Sequence, residues 1–215
     1  NVNDGTKFNL VGNPYPSYIT ITDFINGNNS VLHAGHNAVY GWDGSSYTTK
    51  NLATAGYIAP AQGFMVADIG PNVGDTSSLI FTVAMMTSSA NGADDFVTSL
   101  MDDRAELFLS YNQSDIYKST EIYFLDNVND QMNPGYDAGV IALADTRIYT
   151  RLVEGDEGLN LSIQSLAYSE MWDKVIPIGI NALGGEEMTI GISHRTTPAD
   201  LNIYLEDTEE GTMTN

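Results

Sequence analysis

The residues best suited to chemistry lie in one short stretch, FLDNVNDQMNPGYDAGV, at positions 124–140. It places Asp126, Asp130 and Asp137 among residues that favour turns. Calcium takes about six to eight oxygen ligands from carboxylates, backbone carbonyls and water, and a loop supplies them well. The spacing does not match an EF-hand, because the third position counted from Asp126 is Val128. Two interpretations stay open: a calcium site, or a turn in which the Asp137 carboxylate accepts backbone N–H groups.

The sequence does not contain the pattern of residues expected for catalysis by a serine or cysteine nucleophile. The chain has no cysteine and three histidines, His33, His36 and His194, and no serine lies in a Gly-x-Ser-x-Gly elbow. His33 and His36 have a spacing that suits two metal ligands on a helix, but their surroundings predict a loop followed by a strand. On a strand, residues three apart point to opposite faces. We therefore expect a solvated loop at this position.

A glycosidase needs two carboxylates at a defined separation. The chain has 28 acidic residues, and no spacing singles out a pair. In MDDRAE, residues 101–106, Arg104 lies among Asp102, Asp103 and Glu106, which predicts local ion pairing on a solvated rim. We predict a protein without catalytic residues and keep a polysaccharide-active enzyme with an acidic cleft as the alternative.

Aromatic side chains suggest carbohydrate binding, because exposed rings provide stacking surfaces. The stretch VYGWDGSSY supplies Tyr40, Trp42 and Tyr47, and YSEMWD supplies Trp172. Strand alternation places Tyr40 and Trp42 on one face, where they could equally belong to the core. These four residues are the candidate glycan site.

The composition excludes several partners. Lys and Arg number 8 against the 28 acidic residues, so the formal net charge is −20. Such a charge repels phosphate backbones and anionic lipid headgroups, so nucleic-acid and membrane-surface binding are not expected. No apolar run approaches the roughly 18 residues that a membrane span needs. Divalent cations, cationic partners and neutral glycans stay compatible with this charge.

Period-two alternation of apolar and polar residues predicts strands along most of the chain. They cover residues 7–12, 63–68, 79–85, 105–111, 120–126, 139–145, 159–166, 174–180, 187–193 and 201–207. In 159–166 the alternation is typical of a half-buried strand of an antiparallel sheet. Short helices are predicted at 22–27, capped by Thr22 or Asp23 and ended by Gly27, and at 94–103. The predicted fold is all-β, an antiparallel β-sandwich of jelly-roll type.

Charge is distributed unevenly between the two halves. Residues 1–92 contain five acidic and two basic residues, a net of −3, whereas residues 93–215 contain 23 and six, a net of −17. The change falls in the turn-rich stretch TSSANGADD, residues 87–95. We predict either two β subdomains, 1–92 and 93–215, or one continuous domain with a long loop at this point.

A family resemblance rests on the order of several distinctive segments. The first half contains, in order, LVGNPYPSYI (10–19), YGWDGSSY (40–47), GYIAPAQGFMV (56–66) and IFTVAMMTSS (80–89). The second half continues with RAELFLSY, TEIYFLDNVNDQMNPGYDAGV, LNLSIQSL and LNIYLEDTEEGTMTN. Over nearly all 215 residues this order resembles a module found beside the C-terminal sorting signal of large bacterial proteins that use type IX secretion. The chain departs from that pattern in Ala61, where the family usually has Gly, in NPGYDAGV, and in ending at Asn215 before a final strand.

The resemblance implies a secreted or cell-surface β-sandwich that accompanies another domain, and it transfers no catalytic residue. We therefore expect an extracellular module that serves adhesion, glycan binding or presentation of a neighbouring domain. Its expected partners are carbohydrate, cell-surface components and neighbouring domains of the same protein, and calcium is the one cofactor considered. A structural spacer or assembly subunit is a further alternative. The start at NVNDGTKFNLVG, without a signal peptide, suggests a processed form or an excised piece.

Overall fold

The computed structural model describes residues 8–42, 47–69, 77–88, 104–141 and 146–215. Over these residues the protein is nearly all β, with several antiparallel sheets, which confirms the predicted all-β sandwich class. The jelly-roll connectivity stays a prediction. No helix in the described part of the chain is long and apolar enough to cross a membrane.

The first half of the chain forms two small antiparallel sheets. One has the strand order β1-β6-β3-β4 and the other β5-β2-β7. The strands are β1 Phe8–Gly12, β2 Tyr18–Thr20, β3 Val39–Trp42, β4 Tyr47–Lys50, β5 Tyr57–Ile58, β6 Gly63–Ala67 and β7 Met86–Thr87. In the turn between β5 and β6, Ala61 has a φ of +59°, a left-handed conformation that glycine adopts at lower cost.

Helix α1, Ile21–Asn28, directly follows β2 and is longer than the predicted single turn. Its cap is Thr20, because the Thr20 hydroxyl accepts a hydrogen bond from the Asp23 N–H at 3.1 Å. The predicted caps Thr22 and Asp23 were wrong, since the helix starts one residue earlier. It does not end at Gly27, and its apolar face is buried against the first sheets.

The second half forms one large sheet with the order β13-β11-β12-β9-β8-β14, to which β10 adds by pairing with β12. The strands are β8 Ala105–Gln113, β9 Ile116–Leu125, β10 Ala138–Gly139, β11 Arg147–Thr150, β12 Leu161–Ala167, β13 Ile178–Asn181 and β14 Thr189–Arg195. A separate hairpin follows, β15 Leu205–Asp207 and β16 Thr212–Thr214.

Strand β12 differs from its prediction in two ways. It pairs in parallel with β9, although the sheet is otherwise antiparallel, and it is buried on both faces. The polar residue Gln164 is fully buried. Its side-chain amide donates to the Arg151 carbonyl at 2.9 Å, and this hydrogen bond offsets part of the cost of burying the amide. The apolar Ile163 and Leu166 belong to different core clusters, so the strand separates two hydrophobic layers.

The predicted strand 79–85 does not form. The backbone N–H of Ile80 donates to the side chain of Asn28 at 2.6 Å, and the Ile80 carbonyl accepts from the same side chain at 3.0 Å. A buried amide of α1 thus takes the place of a neighbouring strand, and a 3₁₀ turn, Val83–Met85, follows. The predicted helix 94–103, together with Asp102 and Asp103, lies outside the described residues.

Within the described ranges, three hydrophobic clusters make up the core. The first lies among α1 and the sheets of the first half, and the second covers one face of the large sheet. The third contains residues from both halves: Ala38, Tyr40, Ala53, Tyr123, Leu125, Ala138 and Ile163. The third cluster therefore packs the two halves of the chain together. The division into two subdomains stays a prediction.

Candidate ligand-binding site

An exposed tryptophan lies beside a half-buried tyrosine where strands β3 and β4 pair. Trp42 ends β3, Tyr47 begins β4, and the two residues are direct neighbours across the strands. Their ring centroids lie 5.0 Å apart with the planes inclined by 58°, and 58% of Trp42 is exposed. Tyr47 also packs on the third core cluster, so the ring that contacts the indole is itself anchored to the core. We call this pair the Trp42–Tyr47 platform.

Tyr40 is not part of this surface, which corrects the predicted glycan site. It lies in the interior of the sheet, where β3 has β6 on one side and β4 on the other. Its side chain is fully buried, and its hydroxyl donates to the Gly139 carbonyl at 3.2 Å. Burial raises the pKa of the Tyr40 hydroxyl. Of the two interpretations left open for this ring, the core placement is the one found.

Trp172 lies on a different element, the 3₁₀ helix Tyr168–Asp173 that follows β12. It is 51% exposed, and Tyr168 on the same helix is also exposed. Met171 between them is buried in the core cluster of the large sheet and anchors the turn. Trp172 is therefore a second accessible ring, carried by a different element from the platform.

The loop 126–137 is a hydrogen-bonded turn built around Asp137. This carboxylate is fully buried and accepts the backbone N–H of Asn133 at 2.7 Å and that of Ser165 at 2.6 Å. The prediction that Asp137 accepts backbone N–H groups is confirmed. Burial raises the pKa of the Asp137 carboxyl to about 7, although both N–H donors favour the charged form.

The three aspartates of the predicted calcium site lie in separate surroundings. Asp126 is exposed, Asp130 forms an ion pair with Lys174, and Asp137 is held inside the turn. Among the described residues, no three His, Asp or Glu side chains form a group that could hold a metal ion. Of the two interpretations left open for this loop, the hydrogen-bonded turn is the one found, and calcium binding stays a prediction.

The same loop joins the two halves of the chain. The Gly135 carbonyl accepts the Leu52 N–H at 2.7 Å, and the Asn51 side chain donates to the Tyr136 carbonyl at 2.6 Å. Gly135 has a φ of +86°, and a Cβ there would lie 2.9 Å from Leu52. This position therefore needs glycine for both its conformation and its close approach to the first half.

The histidines of HAGH do not lie in a solvated loop. His33 precedes a 3₁₀ turn, Ala34–His36, and His36, which ends the turn, is 1% exposed. Its ring stands edge-on to Phe8, and its Nδ1 lies 3.4 Å from Nδ1 of His33. The prediction missed this burial because Phe8 and Gly139, which enclose the ring, are distant in sequence.

A cluster of titratable residues lies on the face of the large sheet that meets the first half. We call it the charged junction, and it consists of Lys50, Arg104, Glu106, Glu121, Tyr123 and His194. Arg104 Nε lies 2.5 Å from Glu106 Oε1, and His194 Nε2 lies 2.7 Å from Glu106 Oε2. The predicted pairing within MDDRAE is therefore present, but in a largely buried position, with 7% of the Arg104 side chain exposed.

The remaining members of the charged junction extend it toward the core. The Tyr123 hydroxyl donates to Glu121 at 2.6 Å, and the Arg104 guanidinium carbon lies 5.0 Å from the centre of the Tyr123 ring. Burial raises the pKa of Glu121 and lowers that of Lys50. Burial therefore disfavours the charged form of both groups.

Sequence reasoning missed Glu106 and Glu121 as a pair. Glu106 lies opposite Tyr123 and Glu121 lies opposite Phe108, so the two carboxylates are diagonal neighbours on one face of β8 and β9. Alternation within each strand indicates which residues share a face of that strand. It does not indicate the register in which β8 and β9 pair, and that register brings the two carboxylates together. Chemically, the pair resembles an acid and a base, yet Glu106 is committed to Arg104 and His194.

No protein-family model, curated protein or solved structure matches this chain. The resemblance to the type IX module accordingly stays a prediction.

Proposed function

We propose that the chain is a non-catalytic binding module of a secreted or cell-surface protein, and that it holds a glycan on the Trp42–Tyr47 platform. The observation that carries this proposal is the exposure of the Trp42 indole, supported on one side by Tyr47. A large aromatic side chain contributes most to binding free energy when a ligand covers its ring and removes it from water. An exposed indole that packs on a second ring therefore favours a ligand that stacks on it.

The charge of the protein narrows the class of glycan. With a net charge of −20, long-range repulsion disfavours sulfated or uronate-rich polymers. A neutral polysaccharide meets no such barrier. The neighbouring domains of a larger secreted protein would then place this module against a substrate or cell surface.

The non-catalytic part of the proposal is supported by the state of the charged junction. Glu106 forms an ion pair with Arg104 and a hydrogen bond with His194, and Glu121 accepts a hydrogen bond from the buried Tyr123. A glycosidase needs one carboxyl that donates a proton and a second that attacks or activates water. Because Glu106 is held by Arg104 and His194, this pair has no free carboxylate that could attack the sugar or activate water.

The proposal is tested by affinity electrophoresis and calorimetry against a panel of neutral and acidic polysaccharides. We expect binding to a neutral polysaccharide, and Trp42→Ala should weaken it by about tenfold or more, which corresponds to about 1.4 kcal/mol. Leu10→Ala is the matched control, because Leu10 is a 73% exposed apolar residue on another strand of the same sheet. Unchanged binding by Trp42→Ala would refute the platform.

The enzymatic alternative is tested in the same samples. Release of reducing ends from a bound polysaccharide, abolished by Glu121→Gln, would assign the charged junction a catalytic role and contradict the proposal. We expect no release by the unmodified chain.

A further inference from the structure

The large sheet ends in a strand with an open edge. In the described part of the chain, β14 pairs with β8 and with no second strand. From Thr189 to Ile192 the pairing is regular, and Ser193 forms a bulge before His194. An edge strand presents a row of backbone N–H and C=O groups on which another strand can pair. The regular part of β14 is therefore available for that purpose.

The side chains along this edge are apolar on one face. Ile190 and Ile192 lie opposite Tyr111 and Leu109, which belong to the core cluster on that face of the sheet. Met188 extends the same alternation, and Met188 and Ile192 are 44% and 46% exposed. Edges are commonly blocked by lysine or proline, and the segment EMTIGIS, residues 187–193, contains neither. The core of the large sheet thus reaches the surface along this strand.

The charges at the two ends of the strand have opposite sign. Glu186 and Glu187 precede β14, whereas Arg195 ends it. If an identical strand lies antiparallel to β14, the acidic end of each copy meets the end of the other that carries Arg195. A two-fold interface repeats one surface patch on both subunits and requires it to be self-complementary. This edge meets that requirement in both its charge and its apolar stripe.

We propose that a second copy of this chain pairs antiparallel with β14, with the two-fold axis at Ile190. In this register Ile190 faces the same residue of the other copy, and Met188 of each copy lies beside Ile192 of the other. Glu187 lies opposite Ser193, next to His194. The large sheets of the two copies then form one continuous sheet, and the exposed apolar stripe becomes an intermolecular core.

The first test is sedimentation velocity of the full chain at increasing concentration. The mass should rise from 23.3 kDa toward twice that value. Ile192→Lys should weaken association at least tenfold, because it places a cation in the apolar stripe. The matched control is Leu10→Lys on β1, an exposed position at the edge of the other sheet, which should associate like the unmodified chain. Melting curves establish that both variants fold.

The second test reads the register directly, since the chain has no cysteine. Directly opposed residues of antiparallel strands have Cα atoms roughly 4.5–5.5 Å apart, within the range that a disulfide spans. Ile190→Cys should therefore form a covalent dimer under mild oxidation. Ile192→Cys should not, because the two copies of that residue would lie roughly 13 Å apart along the strands.

Either of two results would overturn the proposal. One is sedimentation at 23.3 kDa at every concentration. The other is association that Ile192→Lys leaves unchanged, accompanied by no disulfide in Ile190→Cys. Loss of glycan binding in Trp42→Ala has no bearing on either result, so this inference and the proposed function fail separately.

Discussion

Replacing Asp137 by asparagine should destabilise the protein, and the size of the effect should depend on pH. The asparagine keeps the shape of the carboxylate and one acceptor oxygen. Its amide nitrogen, however, faces either the N–H of Asn133 or that of Ser165, both of which now donate to the carboxylate. One buried N–H donor is left unsatisfied, which costs about 1–3 kcal/mol. This cost is present at every pH.

The pH-dependent part follows from the raised pKa of Asp137. The folded carboxyl titrates at about 7 and the unfolded one at its ordinary value of 3.8. Between these values the folded protein binds more protons than the unfolded chain, so the stabilisation from this group is complete below pH 3.8 and is lost as pH rises through 7. At about 1.4 kcal/mol per pH unit, the loss between pH 5 and pH 8 is about 3 kcal/mol.

The measurement is urea unfolding of the unmodified chain and of Asp137→Asn at pH 5, 6, 7 and 8. The difference in unfolding free energy between the two proteins cancels the titration of all other carboxylates. We expect the difference to be largest at pH 5, about 4–6 kcal/mol, and to fall to about 1–3 kcal/mol at pH 8. A difference that grows with pH would show that the two N–H donors outweigh burial, and would refute this reasoning.

Three further predictions concern the backbone and the loop. Asn28→Ala removes both hydrogen bonds to Ile80 from a buried site and should cost about 2–4 kcal/mol of unfolding free energy, whereas Asn26→Ala, at an exposed position of the same helix, should cost less than about 1 kcal/mol. Ala61→Gly removes the cost of a left-handed alanine at a φ of +59° and should raise the unfolding free energy by about 0.5–1 kcal/mol. The control Ala59→Gly changes a residue without a positive φ and should lower the unfolding free energy. A lower melting temperature for Ala61→Gly would contradict the conclusion that the Ala61 backbone is strained. A calcium chelator should leave the melting temperature unchanged, because the aspartates of loop 126–137 do not converge; a decrease would restore the calcium interpretation.

Local sequence patterns predicted strands well where each strand has one buried and one exposed face. β8 and β9 were placed within a few residues because their alternation is strong and long. The pattern failed at 79–85, where Leu79 and Phe81 pack on the core without a partner strand. There the side chain of Asn28 satisfies the backbone, an interaction between residues 52 positions apart that periodicity does not encode.

The candidate site was predicted in part for a similar reason. Exposure of Trp42 and Trp172 agrees with the predicted stacking surfaces, but Tyr40, two residues from Trp42, is buried. Alternation assigns a side chain to a face of the strand, whereas exposure depends on what covers that face. The charged junction escaped prediction because its members come from β4, β8, β9 and β14 and the residue preceding β8, and are assembled only by the pairing of those strands.

The central claim is that the Trp42 ring contacts a glycan, and tryptophan fluorescence of Trp172→Phe tests it most directly. The chain has two tryptophans, so this variant carries Trp42 as its single indole. Titration with the neutral polysaccharide identified by affinity electrophoresis should shift the emission to shorter wavelength and saturate, since stacking removes water from a ring that is 58% exposed. Saturable binding measured by calorimetry, without any change in Trp42 emission, would contradict the account.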